Sequence, residues 1–267
     1  RRASRANHMK IKDSNNPMTL KTISPETLVP MDVFSADFPL TINMAYKRDE
    51  TPNIFGVIYH EKARLWLHER LAKIVLLAAH SVQTDHGYGL VLYDGLRTIE
   101  AQARMGASAI VQKNPHWLEE PGRLLSPPGA GAHPRGMAID LSLVDSDGAL
   151  LDMGTVFDHL VEDSSPAKNP AHREHSDLTE TAKANRAVLT DAMVGAAESL
   201  QTPLLPLPQE WWDFRLPAEI YNDYEPLSDA DLPPEMRMVD GGSNDSQMNQ
   251  FSALKQALLG HLAPHLL

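Results

Sequence analysis

From Glu61 to about Gln83, apolar residues recur at helical spacing (Leu65, Leu67, Leu71, Ile74, Val75, Ala78), which predicts an amphipathic helix. His60, His68 and His80 border it and read as solvated or hydrogen-bonded histidines. Leu90-Val91-Leu92-Tyr93, between Gly89 and Asp94-Gly95, reads as a short buried strand. Thr98 then offers a helix cap ahead of Glu100 and Arg104. Residues 114–136 are rich in Pro and Gly and predict a long irregular loop, a type of segment that often carries function. After it the period changes. Met137, Ile139, Leu141 and Leu143 face a core, while Ala138, Asp140 and Ser142 face the other side of a strand. Ala182, Ala184, Val188, Leu189, Ala192 and Met193 give Leu178–Leu200 the stripe of a helix. Polar, Pro-dotted residues 9–45 read as an arm over the domain, and 239–249 as a flexible linker. Beyond it, Phe251, Leu254, Leu258 and Leu262 predict a tail helix within 250–267, docking on this chain or forming a homodimer with a second copy.

The order helix, strand, helix, loop, strand, helix, strand favours one α+β domain over 9–238, with a small mixed or antiparallel sheet and segregated helices. The balance of 24 Lys and Arg against 35 Asp and Glu, a net charge of −11, argues against nucleic acid and anionic membrane as partners. No apolar run approaches the roughly 18 residues needed to span a bilayer. The absence of cysteine removes disulfide and thiol chemistry. Residues 1–8 read as a cloning remnant ahead of a start at Met9, and no apolar signal core follows. The expected compartment is cytoplasmic, or periplasmic if a signal was removed.

Two segments carry the candidate chemistry. In Gly131-Ala132-His133-Pro134-Arg135-Gly136-Met137-Ala138-Ile139-Asp140, a histidine closes a Gly-rich loop and an aspartate follows on a strand. Aspartate is unfavourable inside a strand and costly when buried alone, so Asp140 requires either a metal ion or an arginine partner. In Glu210-Trp211-Trp212-Asp213-Phe214 two indoles lie between two carboxylates. An offset of three puts Glu210 and Asp213 on opposite faces of a regular strand, so they share a site only if the strand starts irregularly or carries a bulge. Otherwise this is an edge strand with solvated charges. His172-Arg173-Glu174-His175 has ligand-like spacing but lies in a polar segment beside Pro170 and reads as surface. Asp145 and Asp147 fit a solvated turn ending in Gly148, and His159 reads as a packing residue.

Taken in order, five motifs resemble the zinc-dependent D-alanyl-D-alanine dipeptidases of the vancomycin-resistance type. They are Tyr93-Asp94-Gly95-Leu96-Arg97, His133-x-x-Gly136-x-Ala138-Ile139-Asp140-Leu141, Met153-Gly154-Thr155-x-Phe157-Asp158, Ala184-Asn185-Arg186 and Glu210-Trp211-Trp212-x-Phe214. Ala45-Tyr46 and Asn53-Ile54-Phe55 add a weaker match upstream. The resemblance implies the DD-peptidase (hedgehog-like) metallopeptidase fold with one catalytic zinc. It implies His133 and Asp140 as ligands, Glu210 as general base and Arg97 as the group facing the developing oxyanion. Asp158 would lie near the substrate ammonium, with Tyr46, Trp211 and Trp212 around the dipeptide.

The sequence departs from that family at two places. Asp213 stands where the family's third ligand is a histidine, and Gly131 stands where a serine is usual. Aspartate is a legitimate zinc ligand, so His133, Asp140 and Asp213 remain a three-donor set. A second carboxylate weakens the ion's pull on its water and makes Mn2+ more competitive. The expected activity is hydrolysis of D-alanyl-D-alanine or a related D-amino-acid dipeptide. The alternatives are a catalytically weakened or non-catalytic relative that binds peptide, and a carboxypeptidase acting on longer cell-wall peptides.

Overall fold

Two strands ahead of the first predicted helix are woven into the sheets rather than laid over them. In the computed structural model, which describes residues 19–120, 123–241 and 251–266, β1 is Leu28–Pro30 and β2 is Leu40–Ile42. β3 is Trp66–His68, pairs antiparallel with β1, and runs into α1, Glu69–His86. The helix predicted from Glu61 therefore starts at Glu69. Leu65 and Leu67 fit a helical stripe, but so short an apolar run fits a strand as well, and pairing with β1 decides it. His68 sets the boundary, because its Nδ1 accepts the Arg70 N–H at 3.3 Å as an N-cap.

β4, Gly89–Asp94, and α2, Ile99–Gly106, follow the prediction closely. Thr98 holds the cap position, but its side chain makes no cap hydrogen bond. α3, Ala109–Lys113, leads into the loop, which contains two 3-10 turns, Pro115–Leu118 and His133–Arg135. β5 is Ala138–Val144 and is buried on both faces. α4 is Glu180–Ser199, and its stripe is rotated from the predicted one: Ala184 is exposed, while Asn185 and Arg186 are buried. The reason is polar. Asn185 Nδ2 donates to the Asp152 carbonyl at 2.8 Å, and Arg186 donates to the Met153 and Pro170 carbonyls at 2.7 and 2.8 Å. Buried donors with partners of this quality displace an alanine from the interior.

β6, Leu205–Pro206, β7, Asp213–Arg215, α5, Ala218–Tyr221, and α6, Phe251–Leu262, complete the chain. The main sheet has five strands in the order β2-β4-β5-β7-β6, with β2 parallel to β4 and the other pairs antiparallel. This is the small mixed sheet of an α+β domain. α1 and α4 pack on each other and against β4 and β5, so both helices cover one side of the sheet. α6 seats Phe251, Leu258 and Leu262 on this chain's own domain. Phe251 meets Trp66 edge to face at 5.4 Å, with the Arg64 guanidinium over both rings. Residues 1–8 and most of the predicted linker lie outside the described residues. Among the described residues no helix is long and apolar enough to cross a membrane.

Burial holds the His68 imidazole down to about 4, against a partial upward pull from Glu69. The unfolded chain therefore binds a proton between pH ~6.5 and ~4 that the folded chain refuses. Stability from this group is complete above that window and is lost as pH falls through it, by up to about 1.4 kcal/mol per pH unit. His68→Asn keeps a capping acceptor and removes the titration. Its urea-unfolding free energy should fall less steeply with acid than that of the wild type, by roughly one proton's slope. Equal slopes would contradict this account.

Candidate metal centre

The register of β4, β5 and β7 sets Asp94 opposite Asp140 and Asp140 opposite Asp213. A shift in pairing between Leu92 and Asp94 brings Asp94 into this row. All three carboxylates are buried. Like charges directly across a ladder repel, and a buried carboxylate without a partner costs several kcal/mol, so the row requires cations. Arg97 supplies one, with Nε and Nη2 at 2.9 and 2.6 Å from Asp94 Oδ2. Tyr59 donates its hydroxyl to Asp94 Oδ1 at 2.5 Å. At the other end Arg215 Nε donates to Asp213 Oδ1 at 2.8 Å, and Nη2 contacts Oδ2. The middle carboxylate is the exception. Asp140 Oδ2 lies 3.6 Å from Arg97 Nη2, and the buried Oδ1 has no hydrogen-bond partner.

His133 faces the row from the 3-10 turn. Its Nδ1 lies 2.8 Å from the Gly95 carbonyl, and its Nε2 lies 3.6 Å from Asp140 Oδ1 and 3.4 Å from Asp213 Oδ2. A carbonyl can only accept, so Nδ1 carries a hydrogen; Nε2, which faces the two aspartates, holds a proton in the free protein and would offer its lone pair to a bound ion. Backbone contacts fix the ring there. Arg97 N donates to the His133 carbonyl at 3.1 Å, and Gly136 closes the turn at φ +61°. Gly95 is required for a different reason, since a Cβ there would sit 2.7 Å from the Trp66 carbonyl oxygen. Arg135 Nη1 braces the preceding loop through the Gly129 and Gly131 carbonyls at 3.0 and 2.8 Å.

The electrostatics favour a cation at this point. Burial and Arg97 push the His133 imidazole down, but Asp140 and Asp213 outweigh them and lift it to about 10. Burial would raise Asp213, yet Arg215 and His133 hold it well below the usual carboxylate range. Glu210 is pushed up to about 8 by burial, then by Asp213 and Asp140. Asp158 is raised to about 7, chiefly by burial and against the Tyr46 hydrogen bond.

A cavity of about 310 Å³ opens over the row, lined by Arg97, His133, Asp140, Asp158, Glu210 and Asp213. Tyr46 and Trp212 complete its wall, and His159, read from sequence as packing, also lines it. Trp211 is not part of that wall. It is buried behind it, its indole N–H donating to Thr155 Oγ1 at 2.7 Å with Arg186 over the ring. Glu210 reaches the cavity because it precedes β7 in a turn, with Glu210 N bonded to the Leu207 carbonyl and Asp213 N to the Glu210 carbonyl. That turn is the irregular start the odd offset demands.

Sequence reasoning missed several partners of the site. Asp94 was visible within its motif but carried no role. Arg215 was findable, since an offset of two from Asp213 puts both on one face of a strand. Arg173 was not. It donates to the Leu207 and Asp213 carbonyls, both at 2.9 Å, and stacks over Phe214, so it clamps both ends of the Glu210 turn. Its neighbours are structural: His172 Nδ1 accepts the Glu174 N–H, and His175 contacts the Pro166 carbonyl. Asp145 caps its own turn through Asp147 and Ala149.

Asp94, His133 and Asp140 present ligand atoms within 4.8 Å of one another, a group that could hold a metal ion. Asp94, however, is on the Nδ1 side of the ring, where the Gly95 carbonyl takes the ring hydrogen, whereas Asp213 stands with Asp140 on the Nε2 side. Donors about 2.0–2.2 Å from a tetrahedral ion lie about 3.4 Å apart. The 3.4 and 3.6 Å separations around Nε2 fit that spacing, and the orphaned Asp140 oxygen needs such a partner.

Comparison with known proteins agrees with this chemistry. The family model described as D-ala-D-ala dipeptidase matches residues 26–228. The D-alanyl-D-alanine dipeptidase of Escherichia coli (strain K12) is 30% identical over 190 residues, covering 71% of this chain and 84% of that protein.

Tyr59→Phe should lower the unfolding free energy by about 1.5–3 kcal/mol, the usual cost of removing a hydrogen bond to a buried charge. Arg97 still pairs with Asp94 in that variant, so unfolding should stay a single cooperative transition. Denaturant titration with an unchanged m-value is the check.

Proposed function

The chain belongs to the D-Ala-D-Ala dipeptidase family, and on that premise we propose that it hydrolyses D-alanyl-D-alanine or a close D-amino-acid dipeptide, using an ion held by His133, Asp140 and Asp213. Membership makes the chain a metallopeptidase and implies a divalent metal. The observation that carries the assignment is the aspartate row around His133 Nε2, with one buried Asp140 oxygen lacking a partner. We assign zinc as the ion, since an imidazole and two carboxylate oxygens at this spacing suit a four-coordinate site with one open position.

When bound, such an ion supplies Lewis acidity for a peptide carbonyl and lowers the pKa of a coordinated water. The protein's own groups do the rest. Glu210, at the mouth of the turn before β7, takes the proton from the attacking water and returns it to the departing amine. Arg97 is held by Asp94 and lies over the Tyr46 ring at 5.3 Å, so its charge is fixed before the carbonyl oxygen becomes negative. Preorganised charge of this kind stabilises the transition state more than the ground state. Asp158, backed by the Tyr46 hydroxyl at 2.7 Å, receives the substrate ammonium. Trp212, edge-on to Phe157 at 5.5 Å, seals the wall against water.

Release of D-alanine from D-alanyl-D-alanine should stop on dialysis against a chelator and return with zinc. Glu210→Gln should lower kcat by about 10²–10⁴-fold while metal content stays equal to wild type. Full activity in that variant would remove Glu210 from its role. Failure of zinc-loaded wild type to cleave any D,D-dipeptide would overturn the substrate.

A further inference from the structure

Arg215 shares a face of β7 with Asp213 and lines the same cavity, yet no step in the chemistry above uses it. We propose that Arg215 is the charge regulator of the metal site: it holds Asp213 when no ion is bound and competes with the ion for that carboxylate when one is. This rests on the reading that His133, Asp140 and Asp213 hold a divalent ion. The geometry points to competition because one oxygen faces two ways. Asp213 Oδ2 contacts Arg215 Nη2 and also lies 3.4 Å from His133 Nε2, while Oδ1 accepts Arg215 Nε at 2.8 Å. Asp94 is engaged in the same manner by Arg97 and Tyr59, so among the described residues Asp140 Oδ1 is the fully buried carboxylate oxygen of the row without a hydrogen bond, and Asp140 Oδ2 has only the 3.6 Å ion pair with Arg97.

The consequence is a matter of charge. Two carboxylates would present two negative charges to the ion, and Arg215 cancels one. An aspartate standing in a histidine's place then leaves the ligand set with about the net charge it would have with a neutral imidazole there. The guanidinium cannot drift away. β7 pairs Arg215 with Ala138 on one side and Leu205 on the other, and the side chain is only 16% exposed. Removing it should leave Asp213 free for the ion and leave the row of three aspartates short of a cation when no ion is present.

The test uses full-length protein freed of metal, with Zn2+ and Mn2+ affinities measured by competition against a chromophoric chelator. Arg215→Met should bind both ions about tenfold tighter or more, because a fixed positive charge close to the site is gone. Arg215→Lys, which keeps the charge, should stay near wild type. Melting temperature provides the second reading. Metal-free Arg215→Met should melt below wild type, and added Zn2+ should raise its Tm by more than it raises that of the wild type, because linkage scales with affinity. Equal or weaker affinity in Arg215→Met, or an equal loss of Tm with and without metal, would overturn the proposal and leave Arg215 a structural brace. Wild type that takes up neither ion, or Asp140→Asn that binds as well as wild type, would instead overturn the metal site itself.

Discussion

Three carboxylates at one register on three adjacent strands repel one another, and much of the site's architecture answers that repulsion. Asp94, Asp140 and Asp213 are buried where water cannot screen them. At the outer two, guanidinium groups provide the compensation, from Arg97 and Arg215. At the centre His133 turns a ring nitrogen toward the remaining negative charge. A fully compensated row would be inert. The unpaired oxygen on Asp140 is what makes this one a candidate to hold a cation.

Around the row lies a set of buried or half-buried arginines that bond carbonyls rather than carboxylates. Arg186 on α4 holds the 153 and 170 regions, Arg173 holds both ends of the Glu210 turn, and Arg135 holds the loop that delivers His133. Asn169 adds a bond from Nδ2 to the Gln209 carbonyl at 2.8 Å. These segments have little regular structure, so their backbone groups lack ladder partners and the guanidinium forks supply them. Rigid placement of an irregular segment is what allows Glu210, which no regular strand would aim alongside Asp213, to reach the same cavity.

In the stretch Glu210-Trp211-Trp212-Asp213 the side chains divide their work. Trp212 faces the cavity and Trp211 faces the Thr155 and Arg186 layer behind it, the two indoles being splayed by the turn that the Asp213 N–H closes on the Glu210 carbonyl. One indole shapes the site and the other joins it to α4. The Ala184-Asn185-Arg186 motif acts from the far side of that junction. Its side chains touch no cavity group, and they fix the segments on which the cavity depends.

The sequence by itself determined the strands at Leu90–Tyr93 and Met137–Leu143, the long helix near Leu178–Leu200, the mixed α+β class, and the set of titratable residues that converge. The elements follow from local periodicity and the need of Asp140 for a partner from the cost of burying it, while the rest of the converging set followed from the motifs shared with the dipeptidase family. It could not determine where α1 begins, because a short apolar run satisfies either period and only β1 resolves it. Nor could it rotate the α4 stripe onto Asn185 and Arg186, whose acceptors lie far away in the chain. Tertiary structure alone decided that Asp94, Asp140 and Asp213 share one row and that Arg215 holds the third. Strand register is a relation between distant segments, and a pattern read along one segment does not contain it.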